Sequence, residues 1–145
     1  MRLVVLFIAV PLAVAFATPL LATLSTRLSR LLTWSTLVGG VVLAALTLPT
    51  VARGPVPVIL GGWKPPFGIV LMADVLSILL VLTVCLVAAL ALLFQWGEGK
   101  EKPASFDMLV LLLVTGANGM ILTGDLFNLF VFLEIMTVSA IALIA

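Results

Sequence analysis

The sequence of 145 residues contains no histidine and a single cysteine. Without histidine, this chain has no imidazole to ligate a metal or haem or to act as a general base. Cys85 alone forms neither an intrachain disulfide nor a cysteine-based metal site. Charged residues make up only 9% of the chain, and a net charge of +1 leaves no broad basic surface for nucleic acid. We therefore expect no cofactor in this chain and no nucleic-acid partner.

The scarcity of charge is matched by an abundance of apolar residues. Hydrophobic residues make up 64% of the chain, and the mean hydropathy is +1.44. A soluble domain would carry about a quarter of its residues as charged side chains. The composition therefore predicts an all-α integral membrane protein, formed by residues 1–145 as a single membrane domain in contact with the lipid bilayer.

Hydrophobic runs predict five transmembrane helices, at residues 3–24, 31–52, 69–94, 106–123 and 125–145. Residues 25–30 are expected to form a polar loop. Residues 53–68 contain four prolines and four glycines, which exclude a helix. We expect an extramembrane hairpin there, with a strand over Val56–Leu60 and a turn at Gly61-Gly62.

The first hydrophobic run has a second interpretation, a signal peptide with Arg2 as its charged region and Ala15-Phe16-Ala17 as a cleavage site. The length of the run, its two prolines and the arginines that follow it favour a membrane span. Basic residues number four in the loops on one side and three on the other. This difference favours an outside N-terminus in a cytoplasmic (inner) membrane.

Glu134 is an acid near the middle of the fifth predicted helix. A helix that begins at Asp125 places it about 13 Å along the axis, close to the middle of a bilayer. A carboxylate there is costly unless it is paired, hydrated or protonated, and such residues usually move protons or cations. Thr137 is the only candidate hydrogen-bond neighbour on its helix face. The partner is therefore expected from another helix, another chain or water; the alternative is a static ion pair or a neutral carboxyl.

Three further polar residues are candidate accessories. Asp74 is predicted within the third helix and has three candidate roles. It would serve proton entry, pair with Lys64, or anchor the start of a helix. Asp125 suits a helix cap, with ion capture at the mouth of a path as the alternative. Asn118 lines a hydrated route or, as we favour, forms a packing hydrogen bond between helices.

The segments GGWKPPFGIVLMADVLS (61–77) and LVTGANGMILTGDLFNLFVFLEI (113–135) resemble a known family. They are similar to the antiporter-like membrane subunits of Mrp-type multisubunit Na⁺/H⁺ antiporters, respiratory complex I and membrane-bound hydrogenases. The D subunit of Mrp antiporters has the same GGW…PFGI…AD-L-S and TGDLFNLFVF-E pattern. The resemblance covers roughly residues 55–145, whereas the first two helices match only in being hydrophobic.

The resemblance implies that Glu134 is the essential proton-handling glutamate of the fifth helix and that Asp74 matches an acid of less settled role. It also implies an outside N-terminus. Family members have about fourteen helices, of which this chain would be the N-terminal portion, and a lysine on their seventh helix pairs with the glutamate. We therefore expect a split or truncated subunit whose partner chain supplies the lysine-bearing helices.

These observations predict a proton- and cation-translocating subunit of an Mrp-type Na⁺/H⁺ antiporter, handling H⁺ and Na⁺. The first alternative is a proton-pumping subunit of a complex-I-like or hydrogenase complex, in which redox chemistry occurs in other chains. The second alternative is a small structural subunit that transports nothing. The residues present no catalytic constellation, so whether the assembly as a whole is an enzyme is left open.

Overall fold

A computed structural model describes residues 2–60, 68–97 and 103–145. Five α-helices lie within these ranges: α1 (Leu6–Leu24), α2 (Thr26–Val51), α3 (Val75–Gly97), α4 (Ala104–Leu122) and α5 (Leu126–Ile144). A 3-10 turn (Arg2–Val5) precedes α1, and strands β1 (Val56–Leu60) and β2 (Ile69–Ala73) separate α2 from α3. Each of the five helices is long and apolar enough to cross a membrane. The predicted all-α, multi-pass membrane fold is confirmed.

Helices α1 to α4 form a cluster, and α5 is attached to its outside. Within the described residues, α1 packs on α2 and α4, α3 packs on the same two helices, and α5 packs mainly on α4. The buried apolar residues of α3 recur every three or four positions and so form one stripe along the helix; they are Ile78, Val81, Cys85, Ala89 and Leu92. Because α5 contacts mainly α4, the described residues cover one side of α5 only.

Two prolines inside α1 leave backbone carbonyls without their usual N–H donor. Pro11 frees the carbonyl of Phe7, which accepts a hydrogen bond of 3.0 Å from the Asn118 side chain of α4. Pro19 frees the carbonyl four residues earlier, which accepts a bond of 2.8 Å from the Thr18 hydroxyl. Both prolines are therefore compatible with a continuous helix, because neighbouring polar groups satisfy the freed carbonyls.

The third helix starts later than the sequence predicts, which corrects the expected range of residues 69–94. Residues Ile69–Ala73 form β2, antiparallel to β1, with Val58 opposite Leu71. Leu71 and Ala73 are buried while their neighbours are more exposed, the alternation of a strand. A short apolar run does not distinguish a strand from a helix by hydrophobicity alone. The predicted strand over Val56–Leu60 is confirmed, and the turn at Gly61-Gly62 lies outside the described residues.

The predicted loop at residues 25–30 is also wrong, because α2 begins at Thr26. Ser25 has an extended backbone, and its hydroxyl accepts from the Leu28 amide at 3.4 Å as a helix cap. One turn later, the Ser29 hydroxyl donates to the Thr18 carbonyl at 3.2 Å and joins α2 to α1. A polar residue pattern indicated a loop, but these serines cap and join helices instead.

Strand β2 holds the turn between α4 and α5. The Gly124 amide donates to the Val70 carbonyl at 2.8 Å, and Leu71 forms a bridge with Thr123. A Cβ atom at Gly124 would lie 3.4 Å from the Val70 carbonyl oxygen, an ordinary contact distance, so the turn lies directly against β2. The hairpin therefore fixes where α5 begins.

Two glycines bring α4 and α5 into close contact. A Cβ atom at Gly116 would lie 2.8 Å from the Met136 amide nitrogen and 2.9 Å from the Phe132 carbonyl oxygen. A Cβ atom at Gly119 would overlap the Phe132 ring. Small residues of this kind let membrane helices approach closely. The contact fixes which side of α5 faces α4.

We predict that Gly116→Ala destabilises the chain by about 1–3 kcal/mol, because the added methyl group meets backbone atoms that cannot move aside. Thermal unfolding of the purified chain in detergent measures the effect. Gly39→Ala is the matched control, since no atom lies within 4 Å of a Cβ atom there. Equal unfolding midpoints for the two variants would contradict the close α4–α5 contact.

Candidate functional site

Glu134 lies near the middle of α5. It is the ninth residue of a helix of 19, about 12 Å from the first residue at 1.5 Å per residue. Its side chain is exposed on the outside of the helix cluster. Among the residues that the structure describes, none forms a hydrogen bond or salt bridge with this carboxylate.

The whole helix face around Glu134 is uncovered. At 100° per residue, this glutamate stripe comprises Phe127, Phe130, Val131, Glu134, Thr137, Val138 and Ile141, and every member is exposed. Phe127 is 74% exposed and Val138 is 66% exposed. Asn128 and Ser139, on the opposite side, are buried against α4. The described helices therefore leave the acid and its apolar surroundings without a covering element.

Asp125 is the N-cap of α5. Its Oδ1 atom accepts from the Phe127 amide at 2.8 Å, and its Oδ2 atom accepts from the Asn128 side chain at 3.1 Å. The carboxylate thereby satisfies one free backbone amide and one side-chain amide at the start of the helix and opposes the helix dipole. This geometry is that of the predicted cap.

Asp74 caps α3 instead of lying within a helix. Its Oδ1 atom accepts from the Ser77 amide at 2.7 Å, and its own amide donates to the Ser77 hydroxyl at 2.8 Å. This reciprocal pair is a capping box. The hydrogen bonds from Ser77 lower the pKa of the Asp74 carboxyl below its usual value. The geometry is that of a helix-start carboxylate, while Lys64, the other suggested partner, lies outside the described residues.

Asn118 is buried, and its amide group donates to the Phe7 carbonyl at 3.0 Å. It also lies 3.8 Å from the sulfur of Cys85 on α3. Asn118 thus joins three helices, as expected for a packing hydrogen bond. It lies on the α1 side of α4, while Glu134 lies on the far side of α5.

The predicted site residues fall into three separate places, one of which is the position of Asn118 between α4 and α1. Glu134 and Thr137 share the uncovered face of α5. Asp74 lines an open cleft together with Thr123 and Gly124 of the α4–α5 turn, so it lies near the end of α5 that Asp125 caps. The structure does not join these groups into one hydrogen-bonded path.

Asp107 is a buried acid that the sequence reasoning did not single out. It lies in the first turn of α4, only 6% exposed, and Arg30 of α2 attracts it electrostatically. An acid in the first turn of an apolar helix was the available signal, because carboxylates favour helix N-termini. In the described part of the chain, no group of three or more candidate metal ligands gathers.

These features define a multi-pass membrane protein, and known proteins resemble it in sequence and fold. The D subunit of the Na⁺/H⁺ antiporter of Bacillus subtilis is 34% identical over 145 residues, which cover 95% of this chain and 29% of that protein. A chain of the membrane-bound sulfane sulfur reductase, an archaeal respiratory membrane complex, superposes with a TM-score of 0.90 and 36% identity, covering 98% of this chain and 30% of that one. A chain of the Mrp complex from Dietzia sp. DQ12-45-1b superposes with a TM-score of 0.86 and 34% identity. The match covers 95% of this chain and 26% of that one.

No protein-family model matches the chain. It spans less than a third of the length of each of these three relatives. Over the stretch that it spans, the chain is an Mrp D-like membrane subunit of the antiporter family. The resemblance found in the sequence is confirmed.

We predict that replacing Asp74 with asparagine reduces the loss of stability on acidification. A pKa that is lower in the folded state stabilises the fold above the unfolded value of about 3.9, and this contribution disappears as pH falls through the folded pKa. Thermal unfolding between about pH 5 and about pH 3 should therefore shift less in Asp74→Asn than in the unaltered chain. Ser77→Ala keeps the Ser77 amide bond to the carboxylate and removes only the hydroxyl, so it should retain part of the pH dependence that Asp74→Asn loses. Identical pH dependence in Asp74→Asn and the unaltered chain would contradict the assigned cap.

Proposed function

We propose that this chain is the glutamate-bearing part of a proton- and cation-translocating subunit in an Mrp-type Na⁺/H⁺ antiporter, with H⁺ and Na⁺ as the transported ions. Glu134 binds and releases the proton. The observation that carries this proposal is the uncovered position of Glu134, without a partner in the described residues, near the middle of a membrane-spanning helix.

The cost of that position supports a partner from outside the described helices. An acidic side chain at the centre of a membrane helix costs about 2.5–3.5 kcal/mol on insertion scales. The apolar residues around Glu134 suit packing against a further membrane helix, and a basic residue on that helix would neutralise the acid. In the proposal, a separate membrane chain or further helices supply this residue, a lysine, against the glutamate stripe.

Proton transfer then depends on the distance between Glu134 and its cationic partner. An approaching positive charge favours the ionised carboxylate, and withdrawal of that charge in an apolar surrounding favours the protonated form. The acid therefore releases its proton when the partner approaches and takes one up when the partner withdraws. Movement of the partner helix couples this exchange to cation movement.

Among the accessory candidates, Thr137 has the position closest to this role. It lies three residues after Glu134 on the same exposed face, within reach of a shared water molecule or partner group. Asp74, Asp125 and Asn118 each form hydrogen bonds that account for their positions as caps or helix joints. In the proposal these three hold the helices around the path.

The membrane orientation belongs to the proposal as well. We place the chain in the cytoplasmic membrane with its N-terminus outside. Arg27 and Arg30, at the start of α2, then lie at the inner surface, as the positive-inside rule favours. Helix α5 runs inward from Asp125.

A redox-driven complex is the second candidate, because a chain of a respiratory complex, the membrane-bound sulfane sulfur reductase, has a similar fold. In that case electron transfer in other subunits would move the partner of Glu134. A third candidate, a structural subunit without transport, makes Glu134 dispensable.

We predict that Glu134→Gln lowers cation-driven proton transport by roughly 20-fold or more without impairing assembly, since the amide keeps the size of the side chain but cannot exchange a proton. Transport is measured in vesicles that contain the assembled complex. Leu133→Ala, at an exposed position of α5 outside the glutamate stripe, is the matched control and should retain most of the transport. Normal transport by the fully assembled Glu134→Gln complex would establish the structural subunit instead.

Purification of the tagged chain in mild detergent, followed by native mass spectrometry, distinguishes the first two candidates. We expect a co-purifying membrane chain with an intramembrane lysine. Co-purification of redox subunits would favour the redox-driven proton pump. A complex without redox subunits would favour the antiporter. Recovery of the chain alone would contradict a partner that supplies the basic residue.

A further inference from the structure

Phe132 of α5 lies directly over Gly119 of α4. A Cβ atom at Gly119 would overlap three atoms of the aromatic ring, Cγ, Cδ1 and Cε1. The Phe132 side chain is half-buried, and its carbonyl oxygen would lie 2.9 Å from a Cβ atom at Gly116, about one turn earlier on α4. The ring and the backbone of this one residue therefore both lie against glycines of α4.

The overlap at Cγ makes the contact sensitive to any added atom. Rotation of a phenylalanine ring about χ2 moves Cδ1 and Cε1 but leaves Cγ in place. A methyl group at Gly119 is therefore accommodated only by a different χ1 rotamer of Phe132 or by a shift of the α5 backbone. Few χ1 rotamers are open to a helical residue, because one of the three meets the preceding turn. Either change removes the ring from its position over Gly119.

Helix α5 is held to the rest of the described chain mainly at two places. At its start, the Gly124 amide donates to the Val70 carbonyl and Asp125 caps the helix. These bonds act on the turn and the first residues of the helix only. Further along, α5 packs mainly on α4, and the contact of Phe132 with the two glycines lies there. This contact therefore sets the rotation of the middle of α5.

The rotation of α5 decides the direction of the Glu134 side chain. Glu134 follows Phe132 by two residues, which lie about 3 Å apart along the axis and about 160° apart around it. Less than one helical turn separates them, so a shift of the backbone at Phe132 is passed on to Glu134. Displacement of the ring from Gly119 on one side of α5 consequently moves the carboxyl on the other side.

No charged group of the described part of α4 faces Glu134. Asp107 is the one charged residue of α4, and it lies nine residues before Gly116, half a turn around the helix from the contact with α5. Arg30 of α2 attracts it there. Asp125 is about 13 Å before Glu134 along α5 and bonds to the start of its own helix. The protonation of Glu134 therefore depends on the group towards which α5 directs it.

We propose that Phe132 is a positioning residue for Glu134. Its ring, placed over Gly119, holds α5 at the rotation in which the carboxyl faces its cationic partner. This inference rests on the proposed function, in which that partner lies against the glutamate stripe. Misplacement of a reacting group by about 1 Å lowers a rate by up to about 100-fold. A packing contact on the far side of α5 thereby controls proton exchange at Glu134.

Gly119→Ala in the assembled complex tests the proposal, with transport measured in vesicles over a range of pH. We expect about tenfold less transport. We also expect the pH profile to move to higher pH by about half a unit, because a more distant cation stabilises the ionised carboxylate less. The matched control is Gly40→Ala, whose Cβ atom would lie 2.9 Å from the Cys85 sulfur. It tightens a contact between α2 and α3, away from α5, so its pH profile should stay unchanged.

Phe132→Ala supplies the compensating change. In the double variant with Gly119→Ala, the added methyl group no longer meets the ring and fills part of the space that the ring leaves, so most of the lost transport should return. Phe132→Ala alone leaves α5 without the contact and should also move the pH profile to higher pH, which provides a test even if Gly119→Ala fails to assemble. Leu133→Ala truncates an exposed neighbour and should leave the profile unchanged.

A double variant as impaired as Gly119→Ala, in a fully assembled complex, would overturn the proposal, because overlap with the ring would not be the cause of the loss. An unchanged pH profile in Phe132→Ala would overturn it as well. Glu134→Gln in the same vesicles separates these results from a failure of the proposed function. If Glu134→Gln transports normally, both inferences fail. If it is inactive while Gly119→Ala and Gly40→Ala behave alike, only the positioning role fails.

Discussion

The close contact of α4 and α5 at Gly116 and Gly119 is the constraint on which the rest of the arrangement depends. The two glycines let Phe132 and Met136 lie directly against the backbone of α4. These α5 residues are about 160° around the helix from Glu134. Because that side is committed to α4, the acid and its stripe are directed away from the cluster.

The start of α5 is controlled just as closely as its rotation. Strand β2 pairs with β1 on one side and holds the α4–α5 turn through the Gly124 amide on the other. Asp125 then caps the helix. The acids Asp74 and Asp125 both serve as helix caps near this turn, so their charges stabilise the scaffold at the end of α5. Glu134 is different, because no hydrogen bond in the described residues explains its presence.

Polar groups within α1 to α4 are used for joining helices. Asn118 compensates for Pro11, and the Thr18 hydroxyl compensates for Pro19. These bonds allow prolines in α1 without leaving carbonyls unsatisfied in an apolar surrounding. A single side chain thereby joins α4 to α1 and satisfies the carbonyl that Pro11 leaves free.

Hydrophobicity alone determined that this is a membrane protein and predicted the five helices of the described residues, because long apolar runs have few other stable solutions. The position of Glu134 in its helix and the Asp125 cap also followed from local sequence, since both depend on neighbours along the chain. Tertiary structure decided that residues 69–73 form a strand. In the sequence they continue into the apolar run of α3, and it is their pairing with β1 that makes them a strand. It also decided which side of α5 is uncovered and that Asn118 faces α1. These outcomes depend on helix contacts between distant residues, which periodicity along one helix does not contain.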